Sequence, residues 1–243
     1  SDLELVDSVI SDSSDAGFYG TSSLASIRGC SFLDNDEDGV TLTSSAGLSR
    51  SGSPSFSGNT MTGNGGYPIS LPANYLGELA ADNVMSANGD DYVEVLGDTV
   101  DEDATWRDLQ APYRFTDIVY IQGSSTPEVE ILDGAELYFD SGVPLYVGWS
   151  SYGELGVLGS STGAVNLTVG LKSTVTWAPS HQFSGFFGGK NVRVGIPDRT
   201  TGCNGTLDLR SAIVTQAVFA CNTLELGGFT GNGFPGSGYL YLN

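Results

Sequence analysis

Positive charge is scarce in this chain of 243 residues: 9 Lys+Arg stand against 29 Asp+Glu, a formal net charge of -20. Only two lysines occur, Lys172 and Lys190. Binding nucleic acid requires clustered Lys and Arg on the phosphates, so that class of partner is excluded, and docking on anionic lipid fails for the same reason. No apolar run approaches the length of a membrane-spanning helix, so no membrane insertion is expected, and no signal-peptide pattern opens the sequence. His181 is the single histidine, which removes His-based metal sites and the usual catalytic triads. Helical signals are nearly missing too. The best is Pro72 to Ala81, short and interrupted by glycine.

What is present is apolar enough for a core, at 40% hydrophobic and 10% aromatic residues, with 34 glycines. Short apolar-polar alternations are punctuated by Gly, Asn, Asp and Ser, which reads as many short strands. Four segments align without gaps, starting at Asp7, Gly29, Gly58 and Asp82. One column holds Ile10, Phe32, Met61 and Met85; another holds Ser13, Asn35, Asn64 and Asn88. Two further columns read Phe18, Val40, Ile69, Val93 and Gly20, Leu42, Leu71, Val95. A strand-turn-strand repeat of this length cannot bury its apolar face alone, so copies stack and share an axial core. The Asn column belongs at a turn, where the amide tolerates left-handed backbone and bonds to the next coil.

The pattern apolar-x-apolar-x-x-Asn followed by apolar-x-apolar resembles the right-handed parallel β-helix repeat of pectate-lyase-like proteins. Trp106, Pro112-Tyr113, Val129-Glu-Ile131, Leu137-Tyr-Phe139 and Leu145-Tyr-Val147-Gly148 resemble large secreted bacterial β-helix-repeat surface proteins. These likenesses imply an all-β fold, a right-handed parallel β-helix (solenoid) of roughly ten coils. A first run of coils is expected over residues 1–100 and a second over 101–243, stacked as one continuous solenoid. Both chain ends alternate apolar and polar residues, so a piece of a longer polypeptide is expected.

Asp34-Asn-Asp36-Glu-Asp38-Gly39 has the alternating carboxylates of a calcium loop, making Asp34, Asp36 and Asp38 the candidate Ca²⁺ ligands. Ser45 stands where an EF-hand needs glutamate, so an EF-hand is excluded; the same residues also read as a β-helix turn. A second acidic stretch runs from Asp90 and Asp91 through Glu94 to Asp103. In pectate-lyase-like enzymes carboxylates on a strand bind Ca²⁺ or act as acid and base, with Arg or Lys abstracting a proton in the lyases. That resemblance makes Asp38, Asp91, Glu94, Arg107 and Arg114 the catalytic candidates, with a solvated acidic face as the plainer reading.

Sugar binding uses exposed aromatics, for which Trp106, Tyr113, Tyr120, Trp149, Tyr152 and Trp177 are available; Trp149 and Tyr152 sit in the most loop-like setting. Cys203 and Cys221 lie about one coil length apart and are expected to form a disulfide, while Cys30 reads as a buried thiol. With acidic, lysine-poor composition this points to an extracellular or cell-surface location. The expected function is a structural or adhesive β-helix segment of a larger bacterial secreted or surface protein. Its partners would be a polysaccharide or cell-surface ligand, with end-to-end self-association or continuation in a longer chain, and with Ca²⁺ as the candidate ion and no required cofactor. The rival is a polysaccharide lyase or glycoside hydrolase acting in a carboxylate-lined groove. Both remain open at this level.

Overall fold

The structure is a computed structural model. It describes residues 2–50, 54–132, 134–140, 143 and 145–147. Beyond these it describes the backbones of short strands from Glu154–Leu158 to Leu240–Leu242. It is nearly all β, and the strand pairings are parallel throughout. Residues Ser1–Asp98 with Arg107–Arg114 make one compact unit; Thr99–Trp106 with Phe115–Asn243 make a second.

The first unit is a stack of coils. Its central strands are Val9–Ser11, Ser31–Leu33, Thr60–Thr62 and Val84–Met85, which pair so that Ile10, Phe32, Met61 and Met85 fall in one column. The strands Phe18–Gly20, Val40–Leu42, Ile69–Pro72 and Val93–Leu96 place Phe18, Val40, Ile69 and Val93 in another. These are the columns of the ungapped repeat alignment, and successive coils are offset by 22, 29 and 24 residues. Alternation along each strand turns every second side chain inward, and stacking converts those positions into apolar ladders. Phe32, Val40, Leu42, Met61, Ile69, Leu71, Val93 and Val95 are all fully buried.

A third strand set, Leu3–Val6 and Leu24–Arg28 followed by Gly47–Leu48 and Phe56–Ser57, closes the first three coils. In the fourth coil a 3₁₀ turn over Ala73–Glu78 stands in that place, at the one site where the sequence carried a helical signal. Its fit is tight. The Tyr75 ring lies where a side chain on Gly47 would project, so position 47 admits only hydrogen.

The second unit repeats the scheme. Ala104–Trp106 pairs with Glu128–Leu132 and that with Glu154–Leu158. Val119–Ile121 pairs with Leu145–Val147 and that with Thr174–Trp177. Inward packing is aromatic here: the Phe115 and Phe139 rings stack at 4.4 Å, with Trp106 tilted against Phe115 at 5.5 Å. The parallel β-solenoid expected from the repeats is therefore the fold. The coil number is corrected: about six coils are supported among the described residues, not ten. Later rungs lie farther apart, since Leu145 pairs with Val175 and Val175 with Leu207, so fewer coils take up a given length of chain.

Candidate functional site

Two corners flank each central strand of the first unit, and at all of them except the earlier corner of the fourth coil a residue with left-handed backbone precedes the ladder position. At the later corner Asp12, Asp34, Gly63 and Ala87 have φ of 57, 52, 73 and 59°, and at the earlier one Asp7, Gly29 and Gly58 have 46, 63 and 62°. Asp and Gly are the residues that adopt this conformation most cheaply, which explains their recurrence at these two columns.

The ladder behind the later corner is made of side-chain amides. Asn35 Nδ2 donates to Asn64 Oδ1 at 2.7 Å, and Asn64 Nδ2 donates to Asn88 Oδ1 at 2.9 Å. Each Oδ1 also accepts the backbone N–H of the preceding coil: Ser13 on Asn35, Asn35 on Asn64, and Asn64 on Asn88. Asn35 and Asn64 are buried, so these bonds form where an unpaired amide would be costly. A second ladder runs behind the earlier corner. Asn59 Oδ1 accepts from Cys30 N, and Asn59 Nδ2 donates to Asn83 Oδ1 and to the Ile27 carbonyl. Reading Cys30 as a buried thiol matches its position, with Sγ 3.3 Å from the Arg28 carbonyl. The amide ladder it interrupts was visible only as a mixed column of Ser8, Cys30, Asn59 and Asn83.

The predicted acidic residues separate into different roles. Asp91 Oδ1 accepts from Asn88 N at 2.8 Å, closing the amide ladder on the fourth coil. Asp34 lies with its carboxylate against Gly63, and Asp36 is exposed with its N–H bonded to the Ser13 carbonyl. Asp38 turns toward the strand face, where it accepts from Tyr67 N at 2.9 Å, Thr41 Oγ1 at 2.8 Å and Ser70 Oγ at 2.7 Å. Ser70 Oγ is also 2.7 Å from Glu94 Oε2. A serine hydroxyl carries one proton, so Ser70 donates to one of the two carboxylates at a time. Arg114 Nη1 sits 3.2 Å from Tyr67 Oη and 4.0 Å from Asp90 Oδ1.

Three of the five catalytic candidates, Asp38, Glu94 and Arg114, thus belong to one linked patch on the outward face of the Val40/Ile69/Val93 sheet. Arg107 does not; its Nη1 donates to the Gly77 carbonyl at 2.7 Å, and its own carbonyl accepts from Tyr113 Oη. Ser70 and Tyr67, which complete the patch, were not singled out from sequence. Ser70 follows Thr41 in the outward column, a polar position between apolar ladders that register alone could have flagged. Among the described residues no group of three or more His, Cys, Asp or Glu side chains is arranged to hold a metal ion.

At the later corner Glu37 stands beside Asp15. The Asp15 charge, with the hydrogen bond the two carboxyls share, holds the Glu37 carboxyl above its ordinary value. Of the aromatic candidates, Trp106 and Tyr113 are fully buried, and burial pushes the Tyr113 phenol well up. Tyr120 is half-buried and stacks on Tyr146. Trp149, Tyr152, His181, Cys203 and Cys221 lie outside the described residues. No family model, no curated protein and no solved structure matches the chain.

Proposed function

We propose that this chain is a rigid structural and adhesive β-solenoid segment of a larger bacterial secreted or surface protein, resembling pectate-lyase-like β-helix proteins, with a glycan as its ligand. The single observation that carries this reading is the use made of the corner residues. Amides and carboxylates that would be free to do chemistry instead bond one coil to the next: Asn35 to Asn64, Asn64 to Asn88, Asn59 to Asn83 and Asp38 to Tyr67. Such a build resists shear between coils, which suits a spacer holding ligand-binding loops away from a surface. The exposed acids Asp34 and Asp36 leave room for Ca²⁺ to screen the corner, and the acidic, lysine-poor surface fits an extracellular setting. The test is retention of the purified chain on a polysaccharide panel, with and without Ca²⁺. Binding without release of oligosaccharides is expected.

A second reading rests on the patch around Ser70. Asp38 Oδ2 and Glu94 Oε2 both lie 2.7 Å from one hydroxyl oxygen, so they are within twice that distance of each other. Carboxyls about 5–5.5 Å apart serve retaining glycosidases as acid and nucleophile. Arg114 offers a cation beside them for a lyase. Turnover of any panel member that Asp38→Asn or Glu94→Gln abolishes would replace the structural reading with this one.

A further inference from the structure

Two rungs of the later-corner amide ladder carry the same dipeptide, Asn64-Gly65 and Asn88-Gly89. An asparagine followed by glycine is prone to self-modification, because no Cβ hinders the glycine nitrogen from reaching the asparagine Cγ. Here the fold occupies both reactants. Gly65 N donates to the Asn35 carbonyl and Gly89 N to the Asn64 carbonyl, each at 2.8 Å and each from one coil to the preceding one. The amides are held as well. Asn64 Nδ2 donates to Asn88 Oδ1 and to the Phe32 carbonyl, while its Oδ1 accepts from Asn35. Asn88 Nδ2 donates to the Met61 carbonyl at 3.1 Å, and its Oδ1 accepts from Asn64. Asn64 is buried within the ladder, whereas Asn88 is half-buried and its own N–H rests on Asp91.

We propose that Asn64-Gly65 and Asn88-Gly89 are self-modification sites gated by coil stacking: protected in the stack, they deamidate when a coil lifts away, and the product does not rejoin the ladder. In this step the glycine nitrogen gives up its proton and bonds to the asparagine Cγ. The Cγ–Nδ2 bond breaks and ammonia leaves with that proton, closing a cyclic imide. Water then opens the imide to aspartate or isoaspartate, and nothing is oxidised or reduced. Attack needs a nitrogen released from its carbonyl and a side chain free to turn. Local opening of one coil contact releases both together. The product alters the corner. A carboxylate has no hydrogen to donate, so at position 64 it loses the bond to the Phe32 carbonyl and sets an acceptor against Asn88 Oδ1. At position 88 it loses the bond to the Met61 carbonyl and places a second negative charge beside Asp91. Isoaspartate also lengthens the main chain by a methylene, which shifts the corner out of register.

The experiment incubates the whole chain at mildly alkaline pH, folded and in guanidinium chloride, and follows both sites by proteolysis and mass spectrometry. In denaturant each asparagine is expected to deamidate at least about tenfold faster than in the folded chain. Within the folded chain Asn88 is expected to react before Asn64. Asp91→Ala removes the acceptor of the Asn88 N–H, and should speed Asn88 while leaving Asn64 at the parent's rate. Asn64→Asp, which stands for the product, should lower the melting temperature or fail to fold. Equal rates in the folded and unfolded chain at either site overturn the gating there, and Asn64 reacting ahead of Asn88 overturns the rung-by-rung order. An Asp91→Ala protein whose Asn88 keeps the parent's rate overturns the part given to that contact. An Asn64→Asp protein that melts as the parent does overturns the one-way step. Should Asp91→Ala fail to fold, the comparison of folded and unfolded parent still decides the gating.

Discussion

Asn35 Nδ2 lies 2.7 Å from Asn64 Oδ1, one coil on, in a buried corner of the first unit. Asn64 passes the contact along to Asn88 and adds a bond from Nδ2 to the Phe32 carbonyl at 3.1 Å. Every polar atom of its side chain is therefore engaged.

Replacing Asn64 by Ala removes the acceptor of two buried donors, the Asn35 amide nitrogen and the Asn35 backbone N–H. An unsatisfied buried group costs about 1–3 kcal/mol, so Asn64→Ala is expected to destabilise the first unit by about 3 kcal/mol or more. Urea denaturation followed by circular dichroism measures it. A loss under about 1 kcal/mol would show the ladder to be incidental.

Ala87 holds φ of 59° at an exposed corner, in the column where its neighbour is Gly63. Left-handed backbone costs an L-residue with a Cβ roughly 1–2 kcal/mol. Ala87→Gly should raise the melting temperature, and the reverse change, Gly63→Ala, should lower it sharply, because the new methyl meets the Asp34 carboxylate.

Cys30 stands where the next two coils have Asn59 and Asn83, and its backbone N–H already bonds to Asn59 Oδ1. Cys30→Asn would extend the second ladder by one rung toward Ser8. A gain of about 1 kcal/mol is expected from one added buried bond, read as a shift in the urea midpoint at unchanged slope.

The Glu37 carboxyl titrates above its ordinary value of 4.5 because of Asp15. A carboxyl whose folded pKa is raised contributes most below its unfolded pKa, and that contribution disappears as pH rises through the folded one. Glu37→Gln should therefore flatten the fall in melting temperature between pH 4.5 and neutrality, and should be the more stable protein at pH 7. Equal slopes for both proteins would remove the Asp15–Glu37 contact from consideration.

The stacking of the first unit was legible because its columns repeat without gaps: a single register satisfies Ile10, Phe32, Met61 and Met85 together with Ser13, Asn35, Asn64 and Asn88. The number of coils was not legible, since coil length depends on loops that leave no periodic trace. The patch was half legible. Asp38 and Glu94 stand out as carboxylates, but their meeting depends on Ser70, which is ordinary in sequence and important only because two strands bring it between them. Arg107 and Arg114 look equivalent along the chain. The 3₁₀ turn separates them, since its Gly77 carbonyl takes Arg107 while Arg114 faces Tyr67. Tyr120 and Tyr146 sit in matched triplets, Val-Tyr-Ile and Leu-Tyr-Val, whose equivalence appears once the strands are paired.

In the Asn35–Asn64–Asn88 ladder Asn35 and Asn64 each pass one amide hydrogen to the oxygen of the next amide, on the higher-numbered coil. The dipoles thus run head to tail, each polarising the next. Such a string gives the stack an arrow and a means of proofreading. A coil arriving one residue out of step would offer Asp34 or Asp36 in place of Asn35, an acceptor with no hydrogen to pass on, and the relay would halt there.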